Sequence, residues 1–378
     1  MRLLYVIDSL APGGAETSLA AMAPALVEHG IDLRVFALGQ ALDLAPALAA
    51  AGAHVYRRTG KVGRLANVRA VRSVAQRIQP DLIHTTLFEA DISGRPAALS
   101  LGIPATTSWV SESYGSAHRR EGNAYKLRAA RELDRLTAKS ARGFHAVSHA
   151  VAEVVGPVLG IRPSKIEVIP RGRDPRSFPF QPAGTRAQVR RELSIPENSP
   201  VILAVGRLEP SKGLHHLMAA LHGVSSSLPD AVVLVAGKHG RASDSLRKAG
   251  TSLPIRVSFL GHRTDIARLM AAADVLAFPS EREGSPGTLI EALAVGIPIV
   301  ASRIGPNLEV LGEADEIAHT VPLGAVEPLA RALVGVLENP AAARARAALG
   351  RGRFDDHYSI GAVAAHMASF FERAAWDT

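Results

Sequence analysis

Two doubly wound α/β domains are the expected architecture of this 378-residue chain, on three observations. Short β-branched runs alternate with Ala-rich helical stretches, which is the βαβ rhythm of a parallel sheet. The rhythm restarts after Pro200. Between the two series, from about Arg171 to Pro200, Pro and polar residues cluster (GRDPRSFPFQPAGT), as in a linker. The length agrees, being too great for one ordinary core and comfortable for two.

Taken in order, LLYVID reads as a buried first strand. Its apolar run is short, is interrupted by Asp8 and ends in a Gly turn, which argues against a signal peptide. A helix follows from about Ala15 to His29, then the strand LRVFAL and a helix over Leu65 to Ile78. Leu65, Val68, Val71, Val74 and Ile78 form an apolar stripe on that helix, which predicts packing on the first sheet with arginines at its margins. The strands DLIHT and ATTSWV complete the first series. A short helix over Arg186 to Leu193 leads into the second, whose strands are VILAVG, AVVLVAG, VSFLG, DVLAFPS and PIVAS, each followed by a helical segment. A final helix is expected over about Gly361 to Arg373. The domain bounds read as 1–175, 176–358 and a C-terminal segment, 359–378, whose return to the first domain is implied only by the family resemblance given below. Ligands of such sheets bind at the C-terminal strand ends, so two facing domains would enclose a cleft there.

Composition narrows the function classes. Hydrophobic residues make up 47% and aromatics 4%, as in a globular α/β protein. There is no cysteine, which excludes disulfides and thiolate metal sites and suits a reducing cytoplasm. No stretch approaches the roughly 20 uninterrupted apolar residues of a membrane span. The net charge of +8 is uneven, because residues 1–178 carry 23 Lys/Arg against 15 Asp/Glu and the remainder balances. From Leu44 to Pro80 there is no acid, yet Arg57, Arg58, Lys61, Arg64, Arg69, Arg72 and Arg77 fall there. That half suits an anionic partner or membrane surface as well as it suits a solvated helix margin. Nucleic acid is not expected, since aromatics are scarce and no recognition module is visible.

The segment EGSPGTLIEALAVGIPIVAS, residues 283–302, places Glu283 and Glu291 eight positions apart across a Gly/Pro loop that runs into a helix. The helix is predicted to start near Ser285 to Thr288, with Glu291 two turns in. Its first N–H groups have no intrahelical partners and can receive phosphate or sugar oxygens. The turn RLEPSKG after VILAVG puts Arg207 and Lys212 at the end of a strand, where Arg grips phosphate bidentately and Lys acts as a point charge. In isolation the same pair also fits a solvated turn. Gly13 and Gly14 follow the first strand, so bare backbone can approach a phosphate or sugar there; a simple tight turn fits equally. GxGxxG is missing and the second strand ends without a ribose-binding acid, which disfavours a nicotinamide enzyme. With no DxD, HExxH or GxSxG, a metal-independent reaction without cofactor fits best. His145 and His149, spaced i,i+4, are read as surface or packing residues.

In this order, the GG loop, GRLEPSKG and the Glu283 to Glu291 pair resemble the retaining glycosyltransferases of the GT-B fold, family four (glycosyl transferases group 1). AVSHAV, VIPRGRDPRSF and FLGHRTDIARLMAAADVLAFPS agree, so the resemblance covers nearly the whole chain. It implies two Rossmann-like domains facing across a cleft, the first binding a hydroxyl acceptor (small molecule, glycan or lipid-linked) and the second a nucleoside-diphosphate sugar, with UDP the family's usual nucleotide. Arg207 and Lys212 would neutralise the leaving diphosphate. Glu291 would bind the ribose hydroxyls and Glu283 would lie against the donor sugar, supplemented by Ser285, Gly287 and Thr288. The base would lie near Gly261, His262 and Arg263, with Gly13 and Gly14 approaching the phosphates from the other domain.

Retention in this family is explained by front-face attack through an ion-pair-like transition state, so no enzymic nucleophile is implied, unlike the paired carboxylates of retaining glycosidases. Closure would exclude water and favour transfer over hydrolysis. The chain departs from the family where many members have a histidine: Val110 stands there, and the preceding HxH is reduced to His84. His84 and His118 are therefore the acceptor-side candidates. The enzyme is expected in the cytoplasm, with peripheral contact to an anionic membrane through the basic domain. A sugar-nucleotide epimerase of the same architecture and a catalytically inactive sugar-nucleotide-binding subunit are the rival readings; the epimerase lacks this combination of GRLEPSKG and paired glutamates.

Overall fold

The structure, a computed structural model, describes residues 1–60, 63–111, 124–182, 184–312 and 315–376. They form two compact units, Met1–Gly172 with Ile360–Thr378 and Arg173–Ser359. The division falls at Gly172 and Ser359, within three residues of the bounds read from the sequence.

Unit 1 is built on a seven-stranded, wholly parallel sheet ordered β3-β2-β1-β4-β5-β6-β7. Its strands are β1 (Arg2–Ile7), β2 (Asp32–Ala37), β3 (His54–Arg57), β4 (Leu82–Thr86), β5 (Ala105–Trp109), β6 (Gly143–Ala146) and β7 (Ile166–Val168). Helices cover both faces, so β1, β4 and β5 are buried almost throughout and read as apolar or Thr-rich runs instead of alternating. On one face pack α1 (Gly14–Glu28) and the last helix, Ile360–Trp376, which buries Val363, Met367, Phe370 and Phe371. The C-terminal segment thus returns to the first unit. Leu48 of α2 (Ala45–Ala50) joins that same layer, and on the other face lie α3 (Arg64–Ile78) and α4 (Phe88–Leu101), with α5 (Ala124–Ala138) beside α4 and α6 (His149–Leu159) beside α5. Val71, Ala75 and Ile78 of α3 reach the core, as the stripe predicts, but Leu65 is 76% exposed. It stands in the first turn, short of the sheet.

Unit 2 repeats the plan with six parallel strands in the order β10-β9-β8-β11-β12-β13. They are β8 (Val201–Val205), β9 (Val232–Ala236), β10 (Arg256–Gly261), β11 (Val275–Phe278), β12 (Ile299–Ser302) and β13 (His319–Val321). Helices α7 (Thr185–Glu192), α8 (Leu214–Ser227), α9 (Ser243–Thr251), α10 (Ile266–Ala272), α11 (Gly287–Val295), α12 (Gly305–Leu311), α13 (Val326–Glu338) and α14 (Pro340–His357) enclose the sheet in two apolar layers. In each sheet the strand order reverses beside the first strand, between β1 and β4 and between β8 and β11. Those switch points open a crevice at the C-terminal strand ends, where ligands of doubly wound sheets bind. The final helix, α15 (Ile360–Trp376), belongs to unit 1.

Candidate functional site

In unit 2 the loop leaving β8 carries Arg207 and Lys212, and close backbone packing fixes its path. A Cβ at Gly237 would run into the Gly206 carbonyl, and the Leu208 N–H donates to Lys238 O at 3.0 Å. Lys212 ends a single 3-10 turn, Pro210–Lys212, and Gly213 follows it with φ +63°, a left-handed conformation that glycine adopts without strain. A Cβ there would strike the Pro279 carbonyl, so the β8 turn lies directly against the loop after β11. Across this contact Lys212 Nζ donates to Glu283 Oε1 at 2.6 Å, with the Glu283 side chain only 9% exposed. Arg207 is exposed on the same loop.

The second half of this site is the start of α11. The helix begins at Gly287, inside the predicted window, and Glu291 is its fifth residue, so the carboxylate sits one turn in and not two. Glu291 Oε1 accepts from Arg173 Nε at 2.8 Å, both side chains being mostly buried. The Arg173 guanidinium lies where a Cβ of residue 287 would stand, so the absence of a side chain at Gly287 leaves room for this pair. The Gly287 N–H turns back to Ser285 O at 3.0 Å. Two cation–carboxylate pairs, Lys212–Glu283 and Arg173–Glu291, therefore border one helix N-terminus, an arrangement suited to an extended polar ligand that carries both phosphate and hydroxyl groups. His262 is exposed just past β10, whereas Arg263 is committed to a bidentate pair with Asp265 at 2.8 and 2.7 Å.

In unit 1, Gly13 is the N-cap of α1 and Gly14 its first residue. The Glu16 carboxylate folds back to the place a Cβ of Gly13 would take, and Arg171 Nη1 comes within 3.0 Å of such a position at Gly14. The turn is thus lined by one buried acid and one arginine, and Arg171 also donates to Val110 O at 3.2 Å. The expected acceptor-side histidine His84 is an interior residue. It is 0% exposed, with Nδ1 2.8 Å from Thr106 Oγ1 and Nε2 2.8 Å from Ser108 Oγ, and is wedged between the rings of Tyr5 and Phe371. Burial holds its pKa well below the ordinary histidine value, so the imidazole is neutral and structural. Ser108 extends the chain to His145 Nδ1 at 2.7 Å, and His145 Nε2 reaches Ile169 O at 2.8 Å, in keeping with a packing role. His118 lies outside the described residues, as does Lys61. Arg58, counted in the basic stretch, is buried.

Three features escape sequence reading. Arg173 is separated from Glu291 by 118 positions, and only its neighbourhood to the linker motif hinted at a role. Asp8 ends β1 on the same loop as Gly13 and Gly14, and accepts from the Ala90 N–H at 2.6 Å. Burial pushes its pKa up to about 6 against the amide donors of Ala90 and Glu89, leaving an acid poised to exchange a proton near neutrality. Finally, His215 and His216 meet Glu281, with their ligand atoms within 4.8 Å of one another.

Comparison with known proteins agrees with this geometry. Residues 185–352 match the family described as Glycosyl transferases group 1, and residues 12–177 match Glycosyltransferase Family 4. Over 68% of the chain it is 30% identical to the UDP-Gal:alpha-D-GlcNAc-diphosphoundecaprenol alpha-1,3-galactosyltransferase of Escherichia coli, spanning 67% of that protein. It is 29% identical over 64% of its length to the 2-deoxystreptamine glucosyltransferase of Streptomyces kanamyceticus, spanning 63% of that protein. Among solved structures, HepE of Anabaena in complex with UDP superposes with a TM-score of 0.84 at 22% identity, covering 98% of this chain and 100% of that one, which speaks for the fold.

Proposed function

Because this chain belongs to the group 1 glycosyltransferases and has their GT-B fold, we propose that unit 2 holds a UDP-sugar through the four-residue frame Arg207, Lys212, Glu283 and Glu291 and that the glycosyl group passes to an acceptor hydroxyl with retention. That the protein is a glycosyltransferase using a nucleotide-sugar donor follows from its relatives. The choice of nucleotide, the stereochemistry and the residue roles are our reading. One observation carries it: the pairs Lys212–Glu283 and Arg173–Glu291 border the start of α11 at the C-terminal end of the sheet.

In this reading the diphosphate binds Arg207 and Lys212, and Lys212 keeps its pair with Glu283. Both cations then neutralise charge that grows on the leaving group as the glycosidic bond breaks. The N–H groups at Ser285 and Thr288 add donors without charge, and Gly287 keeps the approach to them bare of a side chain. Glu291 turns to the ribose hydroxyls, and the base rests near Gly261, His262 and Arg263. Glu283 is already neutralised by Lys212 at 2.6 Å, which supports contact with the sugar and argues against a nucleophile. The acceptor hydroxyl attacks the anomeric carbon from the face the diphosphate leaves, and its proton passes to the departing phosphate oxygen. No metal enters this scheme, because two cationic side chains supply the charge a metal would bring. The relatives include a GDP-mannose-dependent enzyme of Corynebacterium glutamicum, so the nucleotide is the point to test.

Calorimetric titration with UDP and GDP, comparing wild type with Arg207→Ala/Lys212→Ala, provides that test. UDP binding that is lost in a folded double variant is the expected result. Preference for GDP would overturn the nucleotide, and equal UDP affinity in the variant would overturn the site. We also propose peripheral contact of unit 1 with anionic membrane at the cytoplasmic face. Exposed Leu65, Leu99, Tyr125 and Leu136 on α3, α4 and α5 support this contact, which vesicle co-sedimentation reads directly.

A further inference from the structure

We propose that His215, His216 and Glu281 form a divalent-cation site, with zinc the ion that fits it. The two histidines are the second and third residues of α8, immediately after Gly213, and Glu281 lies in the loop after β11. His216 Nε2 is 2.9 Å and His215 Nε2 3.3 Å from Glu281 Oε1, and the two imidazole rings lie 3.9 Å apart. A tetrahedral zinc with bonds of about 2.0–2.1 Å sets its ligand atoms about 3.3 Å apart, the distance His215 Nε2 already keeps from Glu281 Oε1, while His216 Nε2 needs to move out by a few tenths of an ångström.

The segments bearing the ligands are already tied together by backbone. The Glu281 N–H donates to Ser211 O at 2.9 Å, and Gly213 packs on the Pro279 carbonyl. Such a brace removes part of the ordering cost of binding. Gly324 lies beside the cluster, where a Cβ would stand at an ordinary van der Waals distance, 3.5 Å, from His216 Cε1. With the His215 side chain 52% exposed, the fourth position opens to water. Two neutral imidazoles and one carboxylate favour zinc, cobalt or nickel over magnesium or calcium, which demand more oxygen ligands.

The ion would act as a clamp. His215 follows Lys212 by three residues and Glu281 precedes Glu283 by two, so a bound cation would cross-link the two segments that carry the Lys212–Glu283 pair. It replaces the proton shared between imidazole and carboxylate and takes no part in bond making.

Cobalt(II) titration of the full chain after chelator treatment, followed by the visible absorption of a tetrahedral site, tests the proposal without any sugar donor. One equivalent with a strong visible band is expected. Binding at least tenfold weaker is expected in His216→Gln and in Glu281→Gln, together with a zinc-induced rise in Tm seen only in wild type. His215→Gln changes a half-exposed side chain and serves should the less exposed variants misfold. No uptake, or uptake equal in wild type and in a folded His215→Gln/His216→Gln variant, would overturn the site, whatever nucleotide the protein binds.

Discussion

Asp8 shows how one side chain ties the strand ends of unit 1 to pH. Its carboxyl titrates near 6 in the folded protein, because burial penalises the charge more than the amides of Ala90 and Glu89 support it. The folded state then binds this proton more tightly than the unfolded chain, so the burden is nil below about pH 4 and grows as pH rises through 6, reaching roughly 3 kcal/mol at neutrality. Asp8→Asn keeps an oxygen for the Ala90 amide and removes the charge. Its Tm should match wild type near pH 4 and exceed it by several degrees near pH 7.5; a difference independent of pH would refute the assignment. The sequence exposes Asp8 only as an interruption in an apolar run. Nothing local reveals that helix α4 closes over it, and the same holds for His84, whose partners Thr106 and Ser108 are set by the register of β4 against β5.

At the scale of elements, the β8 turn packs on the loop after β11 because a glycine permits contact between backbones. Gly213 and Gly184 have nearly the same left-handed φ, +63° and +72°, so alanine suffers the same intrinsic strain of roughly 1–2 kcal/mol at each. Only Gly213 has a backbone atom, the Pro279 carbonyl, in the way of a Cβ; Gly184 has nothing within 4 Å. Gly213→Ala should therefore lower Tm beyond Gly184→Ala and also weaken UDP binding, while Gly184→Ala leaves binding intact. Equal losses in both would mean that the turn relaxes freely and that its contact with Pro279 does not position Lys212. The strands and helices of this region were legible, since VILAVG, DVLAFPS and the Gly/Pro loop before Thr288 each carry a local signal. The pairings across them were not, because Lys212 meets Glu283 71 positions away and His216 meets Glu281 65 positions away. Only the parallel order of the sheet brings those segments side by side.

For the molecule as a whole, charge and apolar exposure coincide in unit 1. The two-domain plan was visible from the restart of the strand rhythm after Pro200, and the return of the last helix followed from family resemblance and not from any local pattern. Membrane contact is a matter of surface, which periodicity reads less well: Leu65 belongs to the apolar stripe by spacing yet stands exposed beside Arg64 and Arg69. Helices α3, α4 and α5 are neighbours, so their exposed Leu65, Leu99, Tyr125 and Leu136 accompany the exposed Arg57, Arg64, Arg69, Arg72 and Arg77 on one unit. No helix among the described residues is long and apolar enough to cross a membrane, so attachment would rest on surface attraction and shallow apolar contact. Each basic residue near an anionic leaflet contributes about 1 kcal/mol, a gain that salt screens within a Debye length. The protein should sediment with phosphatidylglycerol vesicles at low salt, release at high salt and ignore zwitterionic vesicles. Arg69→Glu/Arg72→Glu should cut vesicle binding at least tenfold while leaving UDP binding unchanged, since both residues lie in unit 1 and the proposed nucleotide frame in unit 2. Absence of sedimentation at low salt would leave the arginines as the solvated margin of a helix whose other face builds the core.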